Sequence, residues 1–379
     1  MKTTNRAVRL AASSLIAILA SSSAFAWQAS LTTLNAISQV TENACGATSI
    51  SDNGNVIGGY SRSDRTASAR AASFWRSGPD AHELRGFATK NLWGHVRALV
   101  PNGSIVVGST TRGNNEEPFR WTPATGTRSL PMPASFEGGE AMGVSDDGSV
   151  VVGFGNYVGS LFNRPVQLTE AMMWVNGQPT ALGFVGSGAW SKAYDVSADG
   201  RVIVGEAHLN TSIGEYMAVL WINGAGPIEV GDLPGGYDRS RAVAVSTDGD
   251  TIAGWGSKLY HPFIHRMFRW TRAAGMADLG FVNGHQLAEA TAMTADGSVI
   301  VGWGQIAGSA NRIPVIWDAA NGLRELMPIL EAAGVDLSAW QDWAGQIFMQ
   351  PTGISADGKT IVGFGNLNNS RRAWSVTLP

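Results

Sequence analysis

A nine-residue pattern recurs seven times along the chain and constrains the fold more than any other feature. It consists of a small residue and an Asp-Gly or Asn-Gly pair, followed by an apolar segment that ends in glycine. The copies read SDNGNVIGG, VPNGSIVVG, SDDGSVVVG, SADGRVIVG, STDGDTIAG, TADGSVIVG and SADGKTIVG, and begin at Ser51, Val100, Ser145, Ser197, Ser246, Thr294 and Ser355. Starts 45 to 61 residues apart indicate a repeat architecture in which each unit is one supersecondary element.

Each of these seven units contains further strand-like segments. About 20 residues after each Asp-Gly or Asn-Gly pair comes a run that ends in tryptophan: Trp75, Trp121, Trp174, Trp221, Trp270, Trp317 and Trp374. A leucine follows in most units, and turn residues separate the segments, which predicts four short strands per unit. The Asp-Gly pairs favour tight turns with positive φ. The glycine that closes the second strand, Gly205 in unit 4, needs either positive φ or a close approach of neighbouring backbone.

A radial arrangement of the units allows all these segments to bury their apolar side chains. One four-stranded sheet cannot bury both of its faces, whereas seven sheets arranged in a ring can. Unit 7 stops at SVTLP after Trp374 and lacks a fourth strand, while ASLTTLNAIS near the N-terminus has a matching pattern. We therefore expect an all-β fold, a seven-bladed β-propeller of four-stranded blades, with residues 31–34 completing the last blade.

Residues 1–26 have the pattern of a secretory signal peptide. Lys2, Arg6 and Arg9 form a charged start, LAASSLIAILA is a short apolar run, and AFA ending at Ala26 is a small-residue cleavage site. The run is too short to span a bilayer. We expect residues 27–379 to be a single exported domain, secreted or periplasmic, without a membrane span.

The net charge of the chain indicates which classes of partner it can bind. Cleavage after Ala26 removes three positive charges and no acidic ones, so the net charge changes from -3 to -6. A mildly acidic surface repels phosphate backbones, which argues against a nucleic-acid partner. We expect a monomer.

The units resemble those of the extracellular HAF-repeat family. The repeat of this bacterial group reads roughly small-x-x-Ile-Ser-x-Asp-Gly-x-x-Ile-Val-Gly and then Ala-Phe-x-Trp. The resemblance covers residues 29–378, including VDLSAWQDWAGQIFMQPTGISADGKTIVGFG, which is similar to the usual last repeat. Unit 2 departs from it at Val100-Pro101-Asn102-Gly103. The resemblance implies the repeat fold and an exported location. It implies no catalytic residue, because the motif is structural.

Motifs for metals and cofactors are weak. The turn aspartates supply one or two carboxylates each, fewer than a calcium loop needs. His261 and His265 have the spacing of a helical zinc site, but Pro262 disfavours a helix, and we expect them in a loop. Segment 326–350 has helical spacing, which favours packing on the domain over exposure of Trp340 and Trp343 to sugars. We expect no metal and no cofactor.

The two rims of the expected propeller differ. The Asp-Gly turns are short and alike, whereas the connections on the opposite rim are long and varied, as at binding sites. Eight residues before each repeat glycine lie Gly46, His95, Glu140, Lys192, Arg241, Glu289 and Gln350. These groups converge on the channel mouth as ligand contacts, or form solvated ion pairs. The surrounding loops add Tyr60, Arg62, Trp93, Arg97, Trp190, His208, Tyr216, Tyr237, Asp238, Arg239, Tyr260 and His261. Aromatic rings with Arg, Asp and His favour a saccharide.

Three functions follow from this rim. The first is a binding module for a glycan, a peptide or a cell-envelope partner. The second is a polysaccharide lyase or glycoside hydrolase with base, acid and charge stabiliser among His208, Tyr216, Tyr237, Arg239 and His261. The third is a structural surface protein. The sequence contains no motif of a known enzyme class, so it favours the binding module.

Overall fold

The computed structural model describes most of the chain from residue 28 to residue 378. The residues outside the description are 1–27, 38–44, 63–69, 77, 85–92, 113–114, 162–163, 210–214, 236–237, 259–260, 283, 307, 310, 342–347 and 379. The predicted signal peptide therefore lies outside the described residues. No helix in the described part is long and apolar enough to cross a membrane.

The described residues form an all-β fold in which each sequence unit becomes a set of short strands. The first strand of the chain is β1 (Ser30–Leu34). Units 1 to 3 form β2 (Cys45–Ile50), β3 (Val56–Arg62), β4 (Arg70–Arg76), β5 (Ala81–Glu83), β6 (Gly94–Leu99), β7 (Val106–Arg112), β8 (Asn115–Thr122), β9 (Gly126–Ser129), β10 (Gly138–Val144), β11 (Val150–Leu161), β12 (Arg164–Val175) and β13 (Gln178–Ala181).

Units 4 to 7 repeat this arrangement. They form β14 (Ser191–Val196), β15 (Val202–His208), β16 (Tyr216–Ile222), β17 (Ile228–Glu229), β18 (Arg239–Val245), β19 (Thr251–Lys258), β20 (His261–Thr271), β21 (Gly275–Gly280), β22 (His285–Met293), β23 (Val299–Ile306), β24 (Ile313–Asp318), β25 (Gly322–Glu325), β26 (Met349–Ile354), β27 (Thr360–Leu367) and β28 (Ser370–Thr377). One short helix, α1 (Met327–Ala332), lies between β25 and β26.

Strands pair antiparallel within each unit, in chain order. The last sheet has the order β1-β28-β27-β26, so the N-terminal strand supplies its fourth member, with Leu34 opposite Ala373. Units 4, 5 and 6 are also linked by single parallel bridges, Tyr216 to Arg239 and His265 to Leu287.

The first strands of all seven units line one cavity of about 550 Å³. Its wall is formed by residues of β2, β6, β10, β14, β18, β22 and β26. Turn residues such as Asp52 and Asp146 line one end, and Arg97, Arg241 and Gln350 line the other. We call these the turn side and the loop side of the channel.

Side-chain hydrogen bonds build the turns on the turn side. In unit 3, Ser145 Oγ donates to Asp147 Oδ1 at 2.8 Å, and the Val150 amide donates to Ser145 Oγ at 3.0 Å. The Ser149 amide donates to Asp147 Oδ1 at 2.9 Å. Of the Asp-Gly pair in this turn, only Gly148 has positive φ, at 71°. The aspartate acts through its side chain.

The structure shows why each second strand requires a glycine, for which the sequence left positive φ and close approach of backbone as alternatives. It lies inside the strand rather than at its end, since β15 continues for three residues beyond Gly205. None of the seven glycines, all of them described, has positive φ. A Cβ on any of them would lie 1.9 to 2.1 Å from a backbone carbonyl oxygen of the first strand. Close approach is the reason for glycine.

Tryptophans fill the space between neighbouring sheets. Trp75, Trp174, Trp221 and Trp374 are at most 1% exposed. The Trp221 Nε1 group donates to the Leu182 carbonyl of the preceding unit at 3.0 Å. The tryptophan thereby combines a large apolar contact with a polar anchor between units.

The segment after β25 packs on the domain as its spacing indicates. Leu330, Leu337 and Trp340 are at most 3% exposed and belong to the core beneath units 6 and 7. The helix itself ends at Ala332, and Trp343 and Ala344 lie outside the described residues. Burial of Trp340 removes it as a sugar platform.

Candidate functional site

Two sets of repeat-related residues lie at the loop-side ends of the first and second strands, and six of them line the cavity: Arg241, Glu289, Gln350, Trp255, Trp303 and Phe364. The first set is the inner ring. It consists of the residues eight positions before the glycine of each Asp-Gly or Asn-Gly pair: Gly46, His95, Glu140, Lys192, Arg241, Glu289 and Gln350. Strand pairing places each opposite the residue after a second-strand glycine. This second ring consists of Tyr60, Ser109, Phe154, Glu206, Trp255, Trp303 and Phe364.

The second ring was only partly recognised from the sequence, through Tyr60. Five of its seven members are aromatic, and each directly follows the second-strand glycine. That position is the sequence signal for the ring. It is hidden by the assumption that the strand ends at the glycine.

Unit 4 contains one of the two exceptions to the aromatic pattern, the other being Ser109 in unit 2. Glu206, a second-ring residue, is fully buried, and its Oε2 accepts a hydrogen bond from Arg241 Nε at 2.7 Å. Tyr194 donates its hydroxyl proton to the same carboxylate. Burial and the negative Glu206 raise the pKa of Tyr194 well above its usual value, so Tyr194 remains a proton donor. Arg241, Tyr194 and Trp255 line the channel together.

Lys192, the inner-ring residue of unit 4, is seated on aromatic rings. Its ammonium lies 4.0 Å from the ring centre of Phe154 and 5.2 Å from that of Trp190. Burial lowers its pKa, although Glu206 and Glu140 oppose this. Such a cation–π seat holds a partly desolvated charge without a carboxylate partner.

A pair of carboxyl groups, Glu116 of unit 2 and Glu140 of unit 3, lies beside the Arg97 guanidinium of unit 2. Arg97 Nη2 lies 2.8 Å from Glu140 Oε2, and Arg97 Nε donates to the same oxygen at 3.0 Å. Burial, together with a hydrogen bond to Glu140 and repulsion from it, raises the pKa of Glu116 to about 7. The pair therefore holds one proton close to neutral pH.

In unit 6, Glu289 pairs with a histidine. His265 Nδ1 lies 2.5 Å from Glu289 Oε1, and the imidazole stacks on Trp255 at a centroid distance of 4.7 Å with an interplanar angle of 4°. His261 and His265 lie on β20 rather than in a loop, which corrects the sequence interpretation. Pro262 is accommodated because it is near the start of the strand.

Units 1 and 2 contribute a stacked group. The Arg70 guanidinium lies 4.9 Å from the ring centre of Tyr60 and 4.7 Å from that of Trp93. Tyr60 also contacts His95 at a centroid distance of 4.9 Å. Trp93 is 40% exposed, so part of its surface is accessible to a ligand.

Units 6 and 7 repeat this seating of a cation on an aromatic ring. The Arg312 guanidinium lies 4.1 Å from the ring centre of Trp303 and donates to Gln350 Oε1. The Arg371 guanidinium lies 4.5 Å from the ring centre of Phe364. Arg312, Trp303 and Phe364 line the channel.

Three of the five proposed catalytic residues come together at the outer edge of this site. His208 and Tyr216 are paired across β15 and β16, and their rings stack at 6.2 Å. The Arg239 guanidinium lies 5.6 Å from the Tyr216 ring centre. Burial, and secondarily Arg239, lowers the pKa of His208, while burial and Glu206 raise the pKa of Tyr216.

The remaining candidates are less defined. Tyr237 and Tyr260 lie outside the described residues, and for His261 only the backbone at the start of β20 is described. Asp238 lies directly before β18. The described residues contain no group of three or more His, Cys, Asp or Glu side chains arranged to hold a metal ion.

Comparison with known proteins identifies the fold. No family model and no curated protein matches the chain. Among solved structures, the chain is similar to an oligogalacturonate lyase in complex with manganese, with a TM-score of 0.60, 13% identity, and coverage of 93% of this chain and 97% of that chain. It is also similar to the oligogalacturonate lyase of Vibrio parahaemolyticus, with a TM-score of 0.58, 10% identity and the same two coverages of 93% and 97%.

A puromycin hydrolase gives a TM-score of 0.57 at 12% identity, with coverage of 87% of this chain and 51% of that chain. At these identities the likeness shows the fold alone. The chain is an all-β protein with the fold of β-propeller proteins.

Proposed function

We propose that this protein is an exported, seven-bladed β-propeller that binds a glycan at the loop side of its channel. Export rests on the signal-like residues 1–26 and on the resemblance to HAF-repeat proteins. The protein acts as a monomeric binding module whose ligand is a saccharide of the cell envelope or the medium.

Contacts between the last and first units support a closed ring of seven blades. Thr352 Oγ1 donates to the Ala47 carbonyl at 2.9 Å, and the Ala356 amide donates to the Asp52 carbonyl at 3.1 Å. The Thr48 hydroxyl, at the same repeat position as Thr352, bonds to Val96 of unit 2 at 2.5 Å. The same contact type therefore links unit 7 to unit 1 and unit 1 to unit 2.

The observation that carries the proposal is the shared cavity with its aromatic second ring. A volume of about 550 Å³ lies within the range of small-molecule sites, which are mostly apolar with a few placed polar groups. Phe364, which is half-buried, and Trp255 and Trp303, which are 6% and 5% exposed, line the cavity with a small apolar area. Arg241, Glu289 and Gln350 supply hydrogen-bonding groups. Sugar rings present this same combination of an apolar face and polar edges.

A binding screen tests the proposal. Residues 27–379 are titrated with oligosaccharides of neutral and acidic polysaccharides, and tryptophan fluorescence and calorimetry report binding. Trp93→Ala removes an exposed face of the site, and we expect it to weaken binding about ten-fold. Ile228→Ala is the matched control, since Ile228 is 48% exposed on the short outer strand β17.

The results separate the alternatives. Binding that Trp93→Ala weakens and Ile228→Ala leaves unchanged supports a glycan module. Absence of binding across the panel overturns it and favours an envelope protein as the ligand.

A second function, eliminative cleavage of a uronate-containing polysaccharide, is favoured by the arrangement of His208, Tyr216 and Arg239. The lowered pKa of His208 keeps it neutral as a base for the proton next to the carboxylate, and Arg239 would hold that carboxylate. As C5 loses its proton, the C4–O4 bond breaks, a C4–C5 double bond forms, and Tyr216 protonates the leaving oxygen.

Absorbance of the new double bond tests this second function. We expect Tyr216→Phe and His208→Gln each to abolish it, while His82→Gln, on the outer strand β5 of unit 1, leaves the rate unchanged. Glycan binding without any unsaturated product excludes the lyase and leaves the binding module.

A further inference from the structure

Four cations around the loop side of the channel rest on aromatic rings instead of carboxylates. They are Arg70 on Tyr60 and Trp93, Lys192 on Phe154 and Trp190, Arg312 on Trp303, and Arg371 on Phe364. Within the described part of the chain, none of the four has a carboxylate oxygen within 4.0 Å.

The carboxylates of the two rings are already engaged elsewhere. Arg97 holds Glu140, Arg241 holds Glu206, and His265 holds Glu289. Glu116 shares its proton with Glu140 and is only partly ionised near neutral pH. Lys192 also interacts electrostatically with Glu206, Glu140 and Glu116, and Arg312 with Glu289. The cations of this group nevertheless outnumber its carboxylates, in a chain whose net charge is -3.

The seating of these cations prepares them for a ligand. Each is half-buried, so it has lost part of its hydration before a ligand arrives, and the aromatic ring fixes its position. Arg312 also donates to Gln350, which further fixes the guanidinium beside the channel. An anion that approaches a fixed, partly dehydrated cation gains more than it would from a mobile surface lysine.

We propose that the ligand is an anionic saccharide, whose carboxylate or sulfate groups are held by Lys192, Arg312, Arg70 and Arg371. This inference rests on the proposed glycan-binding function and names its ligand class. The oxyanions are spaced along the sugar chain and meet cations that belong to units 1, 4, 6 and 7 around the mouth.

The test compares ligands that differ only in charge. An oligouronate and its fully methyl-esterified form have the same sugar rings, and a sulfated oligosaccharide of equal length provides the other oxyanion. We expect calorimetry to give at least ten-fold tighter binding for one of the acids than for the ester. That affinity should fall as ionic strength rises from 0.01 to 0.15 M, because the Debye length shortens from about 30 to about 8 Å.

Charge-removing variants locate the contacts. Lys192→Met and Arg312→Met are each expected to weaken acid binding about ten-fold and to leave ester binding unchanged. Arg201→Met is the matched control, because Arg201 is an exposed cation next to the turn of unit 4. Thermal unfolding checks that each variant is folded, and the acid-to-ester comparison on the unaltered protein needs no variant.

The outcomes distinguish this inference from the function on which it rests. Tighter binding of the uronate or of the sulfated chain supports it and states which oxyanion is bound. Equal affinity for acid and ester overturns this inference but leaves the glycan module standing. Unaltered acid binding by the folded variants Lys192→Met and Arg312→Met has the same meaning. Failure of acids, ester and neutral sugars alike overturns both.

Discussion

Glu206 and Arg241 form an ion pair across the boundary between units 4 and 5, with 2.7 Å between Oε2 and Nε, although the Glu206 side chain has no exposed surface. A buried carboxylate is stable only with its partners in place, because desolvation of the lone charge costs several kcal/mol. We expect Glu206→Ala to lower the free energy of unfolding by about 3–5 kcal/mol, measured by chemical denaturation.

The matched control for that measurement is Asp250→Ala. Asp250 pairs with Arg272 at 2.6 Å, with side chains 57% and 49% exposed. An exposed pair of this kind contributes less than about 1 kcal/mol. Equal losses in the two variants would contradict the assignment of Glu206 as a buried structural charge.

The glycines of the second strands, such as Gly205, provide a second prediction. A Cβ at Gly205 would lie 1.9 Å from the Lys192 carbonyl oxygen, and two paired backbones cannot both move away. We expect Gly205→Ala to destabilise the protein by about 3 kcal/mol, measured as the shift in urea midpoint. Gly226→Ala is the control: its Cβ would meet nothing within 4 Å, so its midpoint should stay unchanged.

His95 predicts a pH dependence of stability. Burial, and then the cations Arg97 and Arg70, lower the pKa of His95 to about 4 against the opposing charge of Glu140. Between pH 6.5 and 4 the unfolded chain therefore binds a proton that the folded protein does not. The free energy of unfolding must fall as the pH decreases through this interval, by about 3 kcal/mol at most.

The variant His95→Gln isolates this effect. Urea denaturation at several pH values between 4 and 7 should show a shallower decrease for His95→Gln than for the unaltered protein. Parallel curves for the two proteins would contradict the lowered pKa.

Docking of the N-terminal strand is tested at Leu34. This residue of β1 is 2% exposed and packs in the core shared by units 7 and 1. Leu34→Ala leaves a cavity there, and we expect a loss of about 2–5 kcal/mol in the free energy of unfolding. Thr32→Ala, at an exposed position of the same strand, should change it by less than about 0.5 kcal/mol, and a similar loss at both positions would argue against specific docking.

The repeat period made much of the architecture predictable. Strand number per unit and the pairing of residues 31–34 with the last sheet follow from residue type and spacing, whereas the sequence left both positive φ and close approach open for the second-strand glycines. Counting back from the glycines also found the inner ring. The sequence did not reveal the partners of these residues, because Glu206 and Arg241 are 35 residues apart and meet only when two sheets pack.

The second ring and β20 were missed for different physical reasons. Trp255 and Trp303 follow glycines that resemble strand ends, and only the pairing register shows that the strands continue. His265 was expected in a loop because Pro262 disfavours a helix, but a proline near the start of β20 is also compatible with a strand.

The close approach of each second-strand glycine to the carbonyl group of an inner-ring residue has an evolutionary consequence. It fixes the backbone of the inner-ring residue without using that residue's side chain. Mutation can therefore exchange inner-ring side chains, as the differences among Gly46, Glu140 and Lys192 illustrate, while the strand beneath remains in place. A scaffold of this kind can acquire new ligands by single substitutions, without having to refold around them.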